Sequence, residues 1–177
     1  KEHERTLEKT RVEADAMLEK AKSDIDKIKD KADFIIVAMH WGEEYVTDPN
    51  ESQKKIASYL SSLGVNLIIG NHAHSIQPVQ MIGDTLVFYA LGNFISAQDT
   101  PNKLTGAIAY AKVKLEDNKI KFYDISADLI YTYYKGGRNF KVYPYTKLDN
   151  SILNNYEIYY NKYKEVLNKY SDIIRVK

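Results

Sequence analysis

Three of the four histidines in this sequence lie where a site could form. His72 and His74 belong to the stretch GNHAH, which directly follows the apolar run VNLII, and His40 ends the apolar run DFIIVAMH. Imidazole nitrogen is a common neutral metal ligand, and the two rings of an HxH motif can bind one ion or two neighbouring ions. Two histidines in a turn can equally be solvated or cap nearby carbonyls, so the motif alone leaves both interpretations open.

Composition narrows the kinds of site. The 177 residues contain no cysteine, which excludes disulfides, thiolate metal sites and cysteine nucleophiles, so histidine and oxygen donors must bind any metal. The 25 basic and 24 acidic residues are spread along the chain, which indicates no nucleic-acid partner and no acidic membrane surface. No apolar run approaches the roughly 20 residues that span a bilayer. Because the chain begins with Lys1 and shows no signal peptide, we expect a piece of a longer protein whose missing part would hold any anchor.

Apolar spacing predicts the elements that carry these histidines. An amphipathic helix is predicted between Leu7 and Ala32, and the same regular seam would also suit a coiled coil. DFIIVAMH has the length of a strand that is covered on both faces. The next helix is predicted to be capped by Asp48, with Pro49 in its first turn, and to end at Gly64. Its expected buried stripe consists of Ile56, Leu60 and Leu63.

The order of these elements predicts where the histidines meet. VNLIIG is the second strand, and a strand–helix–strand unit is expected to form a parallel pair with a right-handed crossover. Both strands then end at the same edge of the sheet, where open α/β sheets carry their sites. His40 is therefore expected to lie beside His72 and His74, which favours a metal site over a solvated turn. His3, in a charged helix end, is expected to be exposed.

The second half of the chain is predicted to be richer in antiparallel strands. PVQMI and TLVFYAL flank Gly83 and Asp84, which is the pattern of a hairpin with a two-residue turn. GAIAYAKVKL and KIKFYDISADLIYTYY flank EDN and predict a longer hairpin. Gly136 and Gly137 indicate a loop, and a tyrosine-rich helical pattern covers residues 152–174. The predicted fold class is α/β, with a parallel strand–helix–strand unit followed by antiparallel hairpins.

Three histidines by themselves would also suit a mononuclear zinc hydrolase with an open fourth position. The sequence has no HExxH helix and no obvious general base fixed beside the rings. Glu43 and Glu44 follow His40 closely, but such a pair is more typical of a solvated loop or of a salt-bridge network.

Several motifs in order resemble one known family. HWGEEY, the helix with Pro49 and Gln53, LGVNLIIGNHAHSIQPV and VFYALGNFIS are similar to the capsule synthesis protein CapA family, which is associated with poly-gamma-glutamate. The similarity covers about residues 32–95 and continues more loosely through TGAIAYAKVKL. It implies the fold of the calcineurin-like metallophosphoesterases, with this chain as the C-terminal half of the sandwich. We expect a single partial domain, with a leading helix at 1–31, a motif-bearing sheet region at 32–130 and a tyrosine-rich extension at 131–177.

The resemblance also implies metal ligands. Metallophosphoesterases have an earlier GNH motif, whose asparagine binds metal, and a later GHxH motif, whose histidines both bind metal. GNHAH could match either, but no histidine follows His74, so the later motif is the match and Asn71 is an insertion. By this resemblance His40 and His72 bind one divalent ion and His74 binds a second, of the Mn, Fe or Zn class.

Four further residues are candidates for contacts around the metal or with a substrate. Glu44 and Tyr45 match the HWGxEY block, and Asn93 matches the LGNF block. The plainer alternatives for these residues are a loop hydrogen bond and a buried turn. Trp41 is more typical of a packed aromatic wall than of a specific ligand contact.

The family's earlier motifs, DxH, GD and the true GNH, supply the remaining ligands and do not occur here. Because a dinuclear site requires both halves, we expect the chain alone to bind metal weakly and to be inactive. Its first expected partner is the missing N-terminal half of the same domain. Loss of that half should leave a sheet edge and apolar surface uncovered, which could lead to a homodimer or a swapped assembly, or to a cover formed by the N-terminal helix.

Two functions remain open for the intact protein. One is a metal-dependent hydrolase or transferase that handles capsule polymer at the cell surface, anchored to the extracellular face of the membrane by an upstream segment. The other is a non-catalytic assembly or polymer-binding protein that keeps the fold. Ten of the fifteen tyrosines fall between Tyr131 and Tyr170 and could bind an anionic capsule polymer, although half-buried packing is the plainer explanation.

Overall fold

The structure is a computed structural model and describes residues 18–177. Residues 7–17 of the predicted first helix lie outside the described part, and so does the same part of its alternative as a coiled coil. The elements in chain order are α1, described over residues 18–28, β1 Ile36–Trp41, α2 Glu51–Ser62, β2 Leu67–His72, β3 Val79–Ile82, β4 Thr85–Phe88, α3 Pro101–Leu104, β5 Thr105–Glu116, β6 Lys119–Lys135, β7 Arg138–Pro144, a 3-10 turn Tyr145–Lys147, α4 Tyr156–Leu167 and β8 Arg175–Val176.

The first sheet carries the histidine motifs. Its strand order is β1-β2-β4-β3, with β1 and β2 parallel and α2 forming the connection between them. β3 and β4 form the predicted antiparallel hairpin around Gly83 and Asp84, and β4 also pairs in parallel with β2. The α/β class, the parallel unit and the hairpin are confirmed. The insertion of β4 between β2 and β3 was not predicted, because hydrophobic periodicity does not specify strand order.

The prediction that the first strand is covered on both faces is wrong. β1 is the edge strand of its sheet, and Ile36 is 53% exposed, whereas Val37 and Met39 are partly buried. A continuous apolar run predicts burial but does not reveal whether a neighbouring strand and a covering layer are present on each side. Within residues 18–177, no strand pairs with the outer edge of β1.

The helix α2 begins at a different cap from the one predicted. Asn50, not Asp48, is the N-cap: its side chain accepts from the Gln53 backbone N–H at 2.9 Å, and the Gln53 side chain accepts from the Asn50 backbone N–H at 3.0 Å. This capping box satisfies two N–H groups at the helix start. Asp48 instead forms an ion pair with Lys169.

The end of α2 and its buried face follow from the same local rules. Gly64 has a φ of +87°, and the N–H groups of Gly64 and Val65 donate to Ser61 and Leu60, which is a Schellman motif. Gly64 therefore ends the helix as predicted. The buried face contains Gln53, Ala57 and Leu60, whereas the predicted Ile56 and Leu63 are only partly buried.

The second sheet has the order β5-β6-β7, with β8 paired in parallel to β6. The predicted β5–β6 hairpin is confirmed, and Asp117 and Asn118 form its turn with positive φ. Gly136 and Gly137 form a tight turn into β7, a strand that was not predicted. The helical pattern predicted for residues 152–174 is realised only in α4, Tyr156–Leu167, which is preceded by Asn155 in a left-handed conformation.

Two apolar clusters hold these layers together. One lies between the first sheet and the helices α1 and α2, and it includes Ile25, Leu60 and Val87. The other joins the first sheet, the second sheet and α4. Tyr145 and Tyr163 are buried in this second cluster, so part of the tyrosine-rich region packs as core. No helix in residues 18–177 has the length and apolarity of a membrane span.

The N-cap can be tested by two alanine substitutions. Asn50→Ala removes one acceptor of the capping box and should lower the free energy of unfolding by about 1 kcal/mol. Asp48→Ala removes only a pair with exposed side chains and should have a smaller effect. Urea unfolding of both variants is the measurement, and a larger loss for Asp48→Ala would contradict the assignment of Asn50.

Candidate metal centre

The pairing of β1 with β2 brings the three histidines together. In this parallel register His40 lies opposite Asn71, and Trp41 lies opposite His72. The ring centroids of His40 and His72 are 4.4 Å apart, and those of His72 and His74 are 6.4 Å apart. The predicted convergence of the three rings is confirmed.

The rings face a cavity at the carboxyl ends of the strands. The cavity has a volume of about 210 Å³. His40 is exposed, whereas His72 and His74 are partly buried. Its lining consists of His40, Asn71, His72, His74, Ala90, Gly92 and Asn93.

The backbone around the cavity adopts conformations that side chains rarely take. His72 has a φ of +93°, His74 of +50° and Tyr45 of +66°. Positive φ outside glycine is uncommon, costs free energy and is often found at functional sites. The Tyr45 backbone N–H donates to the Ala73 carbonyl at 2.6 Å, which ties two of these segments together. Hydrophobic pattern gave no sign of this local geometry.

Gly70 is the first residue of the GNHAH motif, and no larger residue fits at this position. A Cβ atom at Gly70 would lie 1.9 Å from the Tyr89 carbonyl oxygen and 2.3 Å from Trp41 Nε1. Those two atoms form a hydrogen bond, with Trp41 Nε1 donating to the Tyr89 oxygen at 2.8 Å. The glycine is therefore required for the strand β2 to lie against this bond.

Trp41 lies in the core beneath the motif. Its indole is 7% exposed and stacks on the Tyr89 ring with centroids 5.9 Å apart. Burial, with a smaller contribution from Tyr170, raises the pKa of Tyr89 to about 12, so its hydroxyl stays protonated at neutral pH. Trp41 does not line the cavity and instead supports the strand that carries His72.

Asn93 fixes the orientation of the His74 ring. Its Oδ1 atom lies 2.7 Å from His74 Nδ1, and its Nδ2 atom donates to the Lys103 carbonyl at 2.8 Å. Because the amide nitrogen is used by Lys103, the atom facing the ring is an acceptor, and His74 Nδ1 must donate. In the neutral ring, Nε2 then carries the free lone pair, as a metal ligand requires.

Two buried glutamines hold the loop between β1 and α2. Gln53 Nε2 donates to Gln77 Oε1 at 2.8 Å, and Gln77 Nε2 donates to the Val46 carbonyl at 3.0 Å. Both side chains are about fully buried, and the Tyr45 ring on this loop stacks on His74 with centroids 6.0 Å apart. Glu44 is exposed on the same loop and does not line the cavity.

Lys103 is a neighbour of the site that no sequence motif indicated. Its Nζ atom lies 4.3 Å from the centroid of the Tyr45 ring and 3.2 Å from Asp99 Oδ1. Since its backbone carbonyl also binds Asn93, Lys103 contacts two residues that touch His74. It belongs to the short helix α3, outside every motif noted in the sequence.

The donor chemistry fits one part of a divalent metal site. Imidazole nitrogen suits zinc and other first-row metals, and His74 has its Nε2 atom free to bind. Within residues 18–177, no carboxylate lines the cavity, and no group of three or more His, Cys, Asp or Glu side chains is arranged to hold a metal ion. The three rings therefore fit one side of a larger site better than a complete mononuclear cage.

Comparison with known proteins places the motifs in a family. The model of the bacterial capsule synthesis protein PGA_cap family matches residues 1–98, which include all three histidines and Asn93. The PGA biosynthesis protein CapA of Bacillus subtilis (strain 168) is 40% identical over 74 residues, which are 42% of this chain and 20% of that protein. The capsule biosynthesis protein CapA of Bacillus anthracis is 32% identical over 112 residues, which are 63% of this chain and 26% of that protein. The chain thus covers about a fifth to a quarter of these relatives.

The close approach at Gly70 predicts a large effect of one methyl group. Gly70→Ala should lower the free energy of unfolding by about 3 kcal/mol or more, because the new Cβ meets a backbone carbonyl and the indole nitrogen. Gly136→Ala is the control, since its Cβ would meet nothing within 4 Å and only the positive φ is strained, at about 1 kcal/mol. Equal losses for the two variants in thermal unfolding would contradict the steric explanation.

Proposed function

The chain belongs to the bacterial capsule synthesis protein PGA_cap family and has a part in capsule biosynthesis, and from this premise we propose that it supplies three ligands to a divalent metal site with phosphoesterase-type chemistry. The observation that carries the proposal is the convergence of His40, His72 and His74 on one cavity. A solvated turn would not require rings from the ends of two strands and from the turn after the second strand to line one cavity.

Neighbouring residues of this chain orient the His74 ring and hold the loop beside it. Asn93 keeps His74 Nδ1 protonated, so that Nε2 points its lone pair away from that contact. Tyr45 packs along the His74 ring, and the buried pair of Gln53 and Gln77 holds the loop that carries Tyr45. A bound divalent ion would supply a Lewis acid and an activated water for hydrolysis or transfer at a phosphoester-type bond.

We propose that the remaining ligands come from polypeptide that pairs with β1. Strands of parallel sheets are normally buried on both sides, yet β1 is an edge strand and Ile36 is 53% exposed. His40 lies on this same strand, so a segment paired there would reach the cavity. The described residues supply no carboxylate to the cavity lining, and acidic groups from such a segment would complete the donor set. The N-terminal part of the same domain is the proposed partner, and a homodimer or a swapped assembly is the alternative occupant of this edge.

Membership of the family supports a general cellular location. Capsule synthesis proteins are associated with the cell envelope. We propose that the intact protein works at the outer face of the cell membrane, anchored by a segment outside this chain, on material related to the capsule polymer. The name of the Bacillus subtilis relative supports a poly-gamma-glutamate (PGA) pathway. The burial of Tyr145 and Tyr163 weakens the support for the alternative of a tyrosine-lined polymer surface.

Metal binding tests the ligand assignment in the chain itself. Zn²⁺ should bind weakly to the 177-residue chain, because only one side of the site is present. His72→Ala should weaken this binding by about tenfold or more, since it removes the ring between the other two. His3→Ala is the control, since His3 is the one histidine outside the candidate set. Calorimetry is the measurement, and tight binding of two ions per chain would contradict the half-site proposal.

Activity must be tested where the whole domain is present. In a full-length family member, we expect a broad screen with phosphomonoester and phosphodiester substrates to find metal-dependent turnover. Replacing the histidine that aligns with His72 by alanine should reduce this turnover by about a hundredfold or more and lower the metal content. Unchanged turnover in that variant would refute the ligand role. Loss of turnover with unchanged metal content would also count against it.

A further inference from the structure

We propose that Lys103, which lies beside the histidine cavity and not in its lining, recognises an oxyanion, a phosphate or a carboxylate group of the ligand, with Tyr45 and Asn93 fixing its position. The inference deepens the proposed function and rests on it, because the ligand is taken to bind where the three histidines converge. Nothing in the family comparison assigns a role to this lysine, which lies beyond the residues 1–98 that the family model matches.

The position of Lys103 is fixed by a closed ring of contacts. Its carbonyl accepts from Asn93 Nδ2 at 2.8 Å, and Asn93 Oδ1 binds His74 Nδ1 at 2.7 Å. Its ammonium group lies 4.3 Å from the centroid of the Tyr45 ring, and that ring stacks on His74. The main chain and the side chain of Lys103 thus each contact a residue that touches His74, which limits the volume that the ammonium can sample.

The charges around the cavity favour an anion. Among the described residues, the lining contains imidazole rings, amides and small residues but no carboxylate that would repel a negative group. Lys103 adds a full positive charge just outside this lining, next to Tyr45 and Asn93. Its side chain is 28% exposed, whereas the lysines in the other described ion pairs are 42% exposed or more, so its charge is less screened by water.

The present counterion of Lys103 is readily exchanged. Asp99 pairs with it at 3.2 Å but is 78% exposed, and an exposed pair of this kind contributes little to stability. The hydrogen bond from Lys103 holds the pKa of the Asp99 carboxyl below its usual range, so Asp99 is ionised at neutral pH. Replacing this carboxylate by the oxyanion of a ligand keeps the charge balance, and the ammonium need not be desolvated again.

The contact between Lys103 and Tyr45 differs from the other cation–π contacts of the described residues. Three other lysines lie over tyrosine rings in the described residues, at 5.0 to 5.2 Å, and none of those rings stacks on a histidine. Lys114, 5.2 Å from the Tyr123 ring, is a matched control because it makes the same type of contact on the exposed β5–β6 hairpin.

The test measures anion binding and metal binding in the same variants of the 177-residue chain. Inorganic phosphate and acetate are titrated separately and followed by two-dimensional NMR of the backbone amides, and Zn²⁺ binding is measured by calorimetry. Lys103→Met should weaken anion binding by about tenfold, the loss of one charge-assisted hydrogen bond. Lys103→Arg should retain it within about threefold, because the charge is kept. Lys114→Met should bind the anions like the wild type.

Each outcome bears on the proposal. A loss for both anions supports a general oxyanion site, and a loss confined to one of them identifies phosphate or carboxylate as the recognised group. The proposal is overturned if the wild type binds neither anion, if Lys103→Met binds both as the wild type does, or if Lys114→Met loses as much. A parallel loss of Zn²⁺ binding in Lys103→Met would also overturn it, because Lys103 would then act only by maintaining the structure around the three histidines. The proposed function fails separately, if His72→Ala leaves Zn²⁺ binding unchanged.

Discussion

The parallel pairing of β1 with β2 is the constraint on which the candidate site depends. It places Trp41 opposite His72 and His40 opposite Asn71, so that the rings of two distant motifs meet at one edge of the sheet. A shift by one residue would turn the side chains of one strand to the other face and separate the rings. Gly70 contributes to this register, because it lets β2 lie directly against the hydrogen bond between Trp41 and Tyr89.

The site is held by polar contacts that offset an unfavourable backbone. Left-handed conformations at non-glycine residues cost of order 1–3 kcal/mol each and persist only where the surroundings enforce them. Here the Tyr45 N–H donates to Ala73, between the two left-handed histidines, and Asn93 holds the ring of His74. Buried amides need hydrogen-bond partners. The buried glutamines beneath the loop bond to each other, and Gln77 also donates to a backbone carbonyl of the loop. Rigid presentation of imidazole nitrogen is the property that this arrangement provides.

The sequence predicted those features that follow from local pattern. Alternation and turn residues indicated the β3–β4 and β5–β6 hairpins, and the strand–helix–strand order indicated the convergence of the histidines. Features that depend on distant contacts were missed. The exposure of Ile36 depends on the lack of a covering layer on one face of β1 among the described residues, and the position of Lys103 depends on packing against Tyr45. Asn50 is the cap in place of the predicted Asp48 because the Gln53 side chain accepts from the Asn50 backbone N–H, a contact that the prediction did not include.

The central claim is that His40, His72 and His74 are the metal ligands that this chain supplies. The most direct measurement is a Zn²⁺ titration of the 177-residue chain, followed by the imidazole nitrogen signals of the four histidines in NMR spectra. We predict that the signals of His40, His72 and His74 all change on addition of Zn²⁺, while His3 keeps its free signal until much higher Zn²⁺ concentrations. An unchanged signal from any of the three, or a response of His3 at the same concentrations, would contradict the claim.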